Sequence, residues 1–129
     1  MMDFWKELAA ENLLKNTHGA SAEEIAQAEG RLGLVFAPEY REFLSAVGAC
    51  IARGHEIVGI CPFADMNVAV VTPEERTYAP QARQSWYVIE QAHMDGIVLW
   101  QDETGAVYQT APNVAPTCVA SSLAEYMKQ

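Results

Sequence analysis

Glu23 to Leu44 reads EEIAQAEGRLGLVFAPEYREFL, and the fold turns on how this stretch is parsed. Ile25, Ala28 and Leu32 recur at the three-and-four spacing of one helix face. Ser21 stands ready as an N-cap with Glu24 three residues on, the pattern of a capping box, and Gly33 supplies a left-handed stop. After a short connector, Pro38 sits where a first helical turn tolerates a missing N–H. Tyr40, Phe43, Leu44 and Val47 then repeat at helical spacing before Gly48. The stretch therefore predicts two short helices pinned as an αα-hairpin, with Leu34 and Phe36 of the connector turned inward. No residue in it looks catalytic, so its rigidity has to serve packing against something apolar downstream.

Working outward, Asp3 to about Leu14 carries Phe4, Trp5, Leu8, Ala9 and Leu13 at helical spacing, with Glu7 and Glu11 on the wet side, before NTHGA breaks the pattern. From Glu56 the period changes. EIVGIC, NVAVV, WYVIEQ, GIVLWQD, AVYQT and PTCVA are short β-branched and aromatic runs bounded by turn residues, and each predicts a strand. Asp95-Gly96 and the DETG at Asp102 to Gly105 carry tight-turn chemistry, the second joining two strands as a hairpin. The polar segment Pro73 to Gln84 is read as a helical turn or as a loop crossing the sheet edge. Ser122 with Glu125 repeats the capping-box pattern and predicts a short closing helix through Leu123 and Tyr126. Helices first, strands next and one helix last argue for an α+β fold. The expectation is a mainly antiparallel sheet of about five or six strands, N-terminal helices packed on one face, and a short C-terminal helix.

The 129 residues match one ordinary domain, expected to span 1-129, and half of them are apolar, which suffices for a core without disulfide or metal staples. Charges interrupt the N-terminal apolar pattern and later apolar runs are short, so neither a secretory leader nor a membrane span is expected. Cys50, Cys61 and Cys118 are odd in number and not closely paired, which fits reduced thiols and a cytoplasmic setting. The net charge of −9 is uneven. Residues 1 to 53 hold eight acids and five bases; residues 54 to 127 hold nine acids and only Arg76 and Arg83. Such a field repels phosphate backbones, disfavours direct nucleic-acid binding and attracts basic partners.

The search for chemistry returns little. His18, His55 and His93 lie in turn-like surroundings, and the spacing of Cys50, His55 and Cys61 matches no closed zinc pattern. No cysteine sits in a nucleophile elbow or at a helix start. The acidic pairs Glu23-Glu24, Glu74-Glu75 and Asp102-Glu103 read as solvated surface, since neighbours on a helix point different ways. The glycines form no phosphate loop, and Trp86, Tyr87, Trp100 and Tyr108 lack interleaved bases, so core is the simpler account of them. No catalytic residue, cofactor or metal is expected.

The segment EIAQAEGRLGLVFAPEYREFLSAVG resembles the signature of the SUKH superfamily, which includes fungal cell-wall synthesis regulators and many bacterial immunity proteins. The matching positions are Glu29, Leu32, Gly33, Phe36, Tyr40, Phe43, Leu44 and Gly48. Downstream, WYVIEQAHMDGIVLWQDETGAVY is similar to that family's central hairpin and VASSLAEYM to its closing helix. Two departures stand out: Pro38 lies one place later than the family's usual helix-start proline, and Val47 replaces the common asparagine before the glycine. The resemblance implies a non-enzymatic binding scaffold, typically an immunity protein that neutralises a cognate polymorphic toxin, often a nuclease. A regulatory adaptor without a toxin is the alternative. A small hydrolase would require a deep cleft joining His55 or His93 to a cysteine and a carboxylate. The partner is expected to be a basic toxin domain, docking on Asp65, Glu74, Glu75, Asp95, Asp102 and Glu103.

Overall fold

A computed structural model describes residues 2–129. The helical hairpin forms as α2 (Ala22–Leu32) and α3 (Pro38–Ala46), preceded by α1 (Met2–Glu11). Its caps are local and complete: Ser21 Oγ accepts the Glu24 N–H at 3.1 Å, and Glu24 Oε1 accepts the Ser21 N–H at 2.9 Å. Gly33 ends α2 at φ +66°. Glu29 then fixes the connector, accepting the Phe36 N–H at 2.9 Å while pairing with Arg41 at 2.6 Å. Ala37 precedes Pro38 and has no capping side chain, so its N–H donates instead to Tyr87 Oη at 3.0 Å.

Two antiparallel sheets follow. The smaller is β1 (Cys50–Ala52) with β2 (His55–Ile57); the larger runs in the order β3 (Tyr87–Gln91), β4 (Val98–Gln101), β5 (Val107–Ala111), β6 (Val114–Ala120). A short helix, α5 (Leu123–Met127), closes the described chain. This is the expected α+β arrangement, with six strands divided between two sheets. Directly paired residues share a sheet face. Tyr87, Gln101 and Val107 therefore face the helices, where the Tyr87 ring lies 4.8 Å from Phe36 and 4.7 Å from Tyr40. Trp5 and Phe43 extend the aromatic core towards α1, with ring centroids 5.7 Å apart.

Three expectations need correction. NVAVV is not a strand: Asn67 caps the start of α4 (Val68–Arg76) by accepting the Ala69 N–H at 3.0 Å, and the helix runs on through Pro73. A short apolar β-branched run fits either period, and the cap decides. The strand expected over EIVGIC stops at Ile57 and pairs with β1, which was not foreseen. The first helix stops at Glu11, because the Asn12 side chain accepts the N–H groups of Leu14 and Ile51, both at 3.0 Å. Ala9, within the helix, and Leu13, beyond its end, are both exposed. The N-terminal helices pack on one face of the sheet as expected, and the other face is covered as well. Val88, Trp100 and Tyr108 occupy the face away from the helices, and the segment 77–86 crosses it. Trp86 stacks on Tyr108 at 4.3 Å and 8°, Ala79 and Ala82 are buried, and Arg76 Nη2 anchors the segment through Gln84 O (2.6 Å) and Trp86 O (2.8 Å).

Candidate interaction surface

The six carboxylates singled out in the sequence lie in three places. Asp65 is exposed on a 3-10 turn (Ala64–Met66). Glu74 is exposed on the last turn of α4, while the half-buried Glu75 accepts a bond from Gln91 Nε2. Glu75 and Asp95 share a shallow cleft of about 250 Å³ with His93 and Met94. Asp102 and Glu103 stand at the opposite end of β4. Asp102 is committed to its turn, its Oδ1 accepting Thr104 N–H (2.9 Å), Thr104 Oγ1 (2.6 Å) and Ala106 N–H (3.2 Å). Glu103 is exposed.

Beside the Asp102–Gly105 turn lies the start of α3. A buried polar relay sets that position: Tyr87 Oη donates to Gln101 Oε1 at 2.8 Å, and Gln101 Nε2 donates at 2.9 Å to both Glu39 Oε1 and Gly105 O. Glu39 also accepts the N–H groups of Leu123 (2.7 Å) and Ala124 (3.0 Å), capping α5 in place of a local carboxylate. The expected capping box is thus half present. Ser122 Oγ accepts the Glu125 N–H at 3.0 Å, but the Glu125 carboxylate turns back to Ser121.

Two grooves flank the outward side of α3. One, of about 370 Å³, runs between Pro38, Glu39 and Glu42 on one wall and Thr104, Ser121 and Ser122 on the other. The second, of about 440 Å³, lies between α2 and α3 over Ala22, Ile25 and Ala26, and Glu42 borders it too. Sequence reasoning passed over Glu39 and Glu42. The available signal was their position on α3 away from the Tyr40, Phe43, Leu44 stripe.

The residue types required for hydrolysis do gather, twice, without a prepared nucleophile. Glu90, 8% exposed, accepts from His55 Nδ1 (2.9 Å), from the Glu56 N–H (2.6 Å) and from the Tyr126 hydroxyl. Burial, and then Glu90 itself, hold that phenol well above its ordinary range. Cys50 in the same core is fully enclosed, and its thiol is pushed up to about 12, chiefly by burial. His18, Glu24 and Cys61 line a groove of about 280 Å³, but Cys61 Sγ donates to the carbonyls of Phe63 and Met66 at 3.6 Å and burial raises its pKa. Neither sulfur is favoured as thiolate, the reactive form. An aromatic disulfide reagent such as DTNB is therefore expected to modify the exposed Cys118 first, Cys61 slowly, and Cys50 only on unfolding. Native-state modification of Cys50 as fast as Cys118 would contradict the enclosure. Among the described residues, no group of three or more His, Cys, Asp or Glu side chains is arranged to hold a metal, and no helix is long and apolar enough to cross a membrane.

Residues 1–128 match the family model SUKH_5, described as SMI1-KNR4 cell-wall. No curated protein matches the chain. Among solved structures, the crystal structure of a protein from Pseudomonas syringae pv. tomato is similar at a TM-score of 0.81 with 14% sequence identity, covering 100% of this chain and 96% of that one. At that identity the likeness establishes the fold alone.

Proposed function

Because the chain belongs to the SMI1-KNR4 cell-wall family, we propose that it is a non-enzymatic protein-binding domain, a cytoplasmic immunity protein that binds and neutralises a basic toxin domain. The observation that carries this reading is the unbalanced charge of residues 54 to 127, where nine acids face two arginines. One of those, Arg76, is tied to backbone carbonyls, while Asp65, Glu74, Asp95 and Glu103 all stand exposed. Surface carboxylates without nearby cations steer a basic partner into encounter and turn acidic competitors away. A nuclease, whose own nucleic-acid surface is basic, fits this field.

The test is a titration against the toxin domain encoded beside this chain's gene. Association is expected to slow several-fold as ionic strength rises, because screening shortens the reach of exposed charges. Glu103→Lys should reproduce that slowing, whereas Glu7→Lys on α1 should do little, since Glu7 already lies 3.5 Å from Arg53. Tight binding indifferent to salt would sink the electrostatic reading. A neighbourhood without a toxin, with another protein bound, would favour the regulatory adaptor.

A further inference from the structure

The two grooves on either side of α3 both present largely apolar surface and differ in charge, and that difference specifies what each can hold. The α2–α3 groove has a floor of small and apolar side chains: Ala22 and Ala26 are exposed, and Ile25 closes the bottom. Its volume of about 440 Å³ lies within the range of pockets that enclose large apolar groups. Its single cation, Arg41, is already held by Glu29 at 2.6 Å. The groove between α3 and the β4–β5 turn is also lined largely by apolar surface, but it carries Glu39 and Glu42 with no base on either wall. Glu103 stands exposed next to Thr104, which lines the same groove. Glu42 forms the ridge between the two, its carboxylate exposed apart from one bond accepted from Trp5 Nε1 at 3.2 Å.

We propose that this outward face of α3 is the docking surface, and that its occupant is a basic amphipathic helix of the protein partner. An apolar side chain enters the α2–α3 groove, and a lysine or arginine three or four residues away enters the groove beside the β4–β5 turn. Such residues lie ~5–6 Å apart on one helix face, a spacing suited to two grooves that share Glu42 as their common wall. The groove whose acids have no base beside them is the one that complements a lysine or arginine, so the orientation of the bound helix is fixed as well as its position. This inference rests on the protein-binding reading above and adds the place and the chemistry of the contact.

The probe is a synthetic amphipathic helix of leucine and lysine, with a leucine and glutamate peptide of the same pattern as control, read by fluorescence anisotropy. Ala26→Trp fills the apolar groove without changing charge and is expected to weaken lysine-peptide binding about tenfold or more; Ser45→Trp, from the α3 wall of the same groove, should act alike. Glu42→Lys should match that loss, and Glu7→Lys, which makes the same charge change on α1 at a residue already 3.5 Å from Arg53, should stay within about twofold. Circular dichroism confirms that each exposed-site variant folds. Unchanged binding by both tryptophan variants, or equal losses from Glu42→Lys and Glu7→Lys, would overturn the docking face. Repeating the series with the toxin domain separates the two ideas. Toxin binding indifferent to Ala26→Trp removes the docking face but keeps the function, whereas peptide binding that obeys the series without any toxin binding keeps the face and removes the function.

Discussion

Replacing Phe43 by alanine is expected to lower the free energy of unfolding by about 3 to 5 kcal/mol. The ring is wholly buried and makes two aromatic contacts, one with Trp5 at 5.7 Å and one with Tyr40 at 5.8 Å. It therefore joins α1 to α3 and stacks on Tyr40 of its own helix, whose ring in turn meets Tyr87 of the sheet at 4.7 Å, so its removal leaves a space at the junction of α1 and α3. Trp5 and Leu8 of α1 are themselves wholly buried in a close-packed interior, so collapse around the void is limited. Urea unfolding measures the loss as a shift of midpoint at constant slope. A change below about half a kcal/mol would remove Phe43 from the core assigned to it.

Gly59→Ala is expected to cost more than about 3 kcal/mol and to leave little native protein at moderate temperature. A Cβ at this position would lie 1.7 Å from Gly48 O and 2.8 Å from the Gly48 carbonyl carbon, both backbone. Neither strand of chain can move aside. Gly48 O accepts the Ile60 N–H at 3.0 Å, while Gly59 donates to Met66 O at 3.0 Å and accepts from Val68 at 2.8 Å. The close passage of the two glycines is what lets the chain leaving β2 run past the end of α3. Gly30→Ala serves as the control, because its added methyl meets nothing within 4 Å and the site is helical. A thermal melt in which both variants behave alike would contradict the close approach.

The helical hairpin was legible because its signals are local: Ser21, Glu24, Gly33 and Pro38 act within one or two turns of themselves. The closing helix was legible for the same reason through Ser122. NVAVV misled because alternation and helical periodicity cannot be told apart over five β-branched and small residues, and only Asn67 marked the cap. β1 escaped because three residues, CIA, carry no period at all. The acidic character of the second half was readable by counting. Its division among three places was not, since the ends of β4 separate Asp95 from Asp102 only once the sheet exists. The neighbours Glu39 and Thr104 meet through Tyr87 and Gln101, residues that sequence inspection assigns to the core or leaves unremarked.

Glu39 also imposes an order of events on the growing chain. Its carboxylate is completed by the amides of Leu123 and Ala124, 84 and 85 residues further on. At translation rates of about 5–20 residues per second, α3 is made roughly 4–17 s before the groups that finish its environment. Over that interval the α3 segment exists without the two amides from which its Glu39 carboxylate accepts in the folded chain. In the folded chain those two bonds tie the start of α5 to α3, and a load applied to the C-terminal helix is transmitted directly to the first turn of α3, beside the grooves.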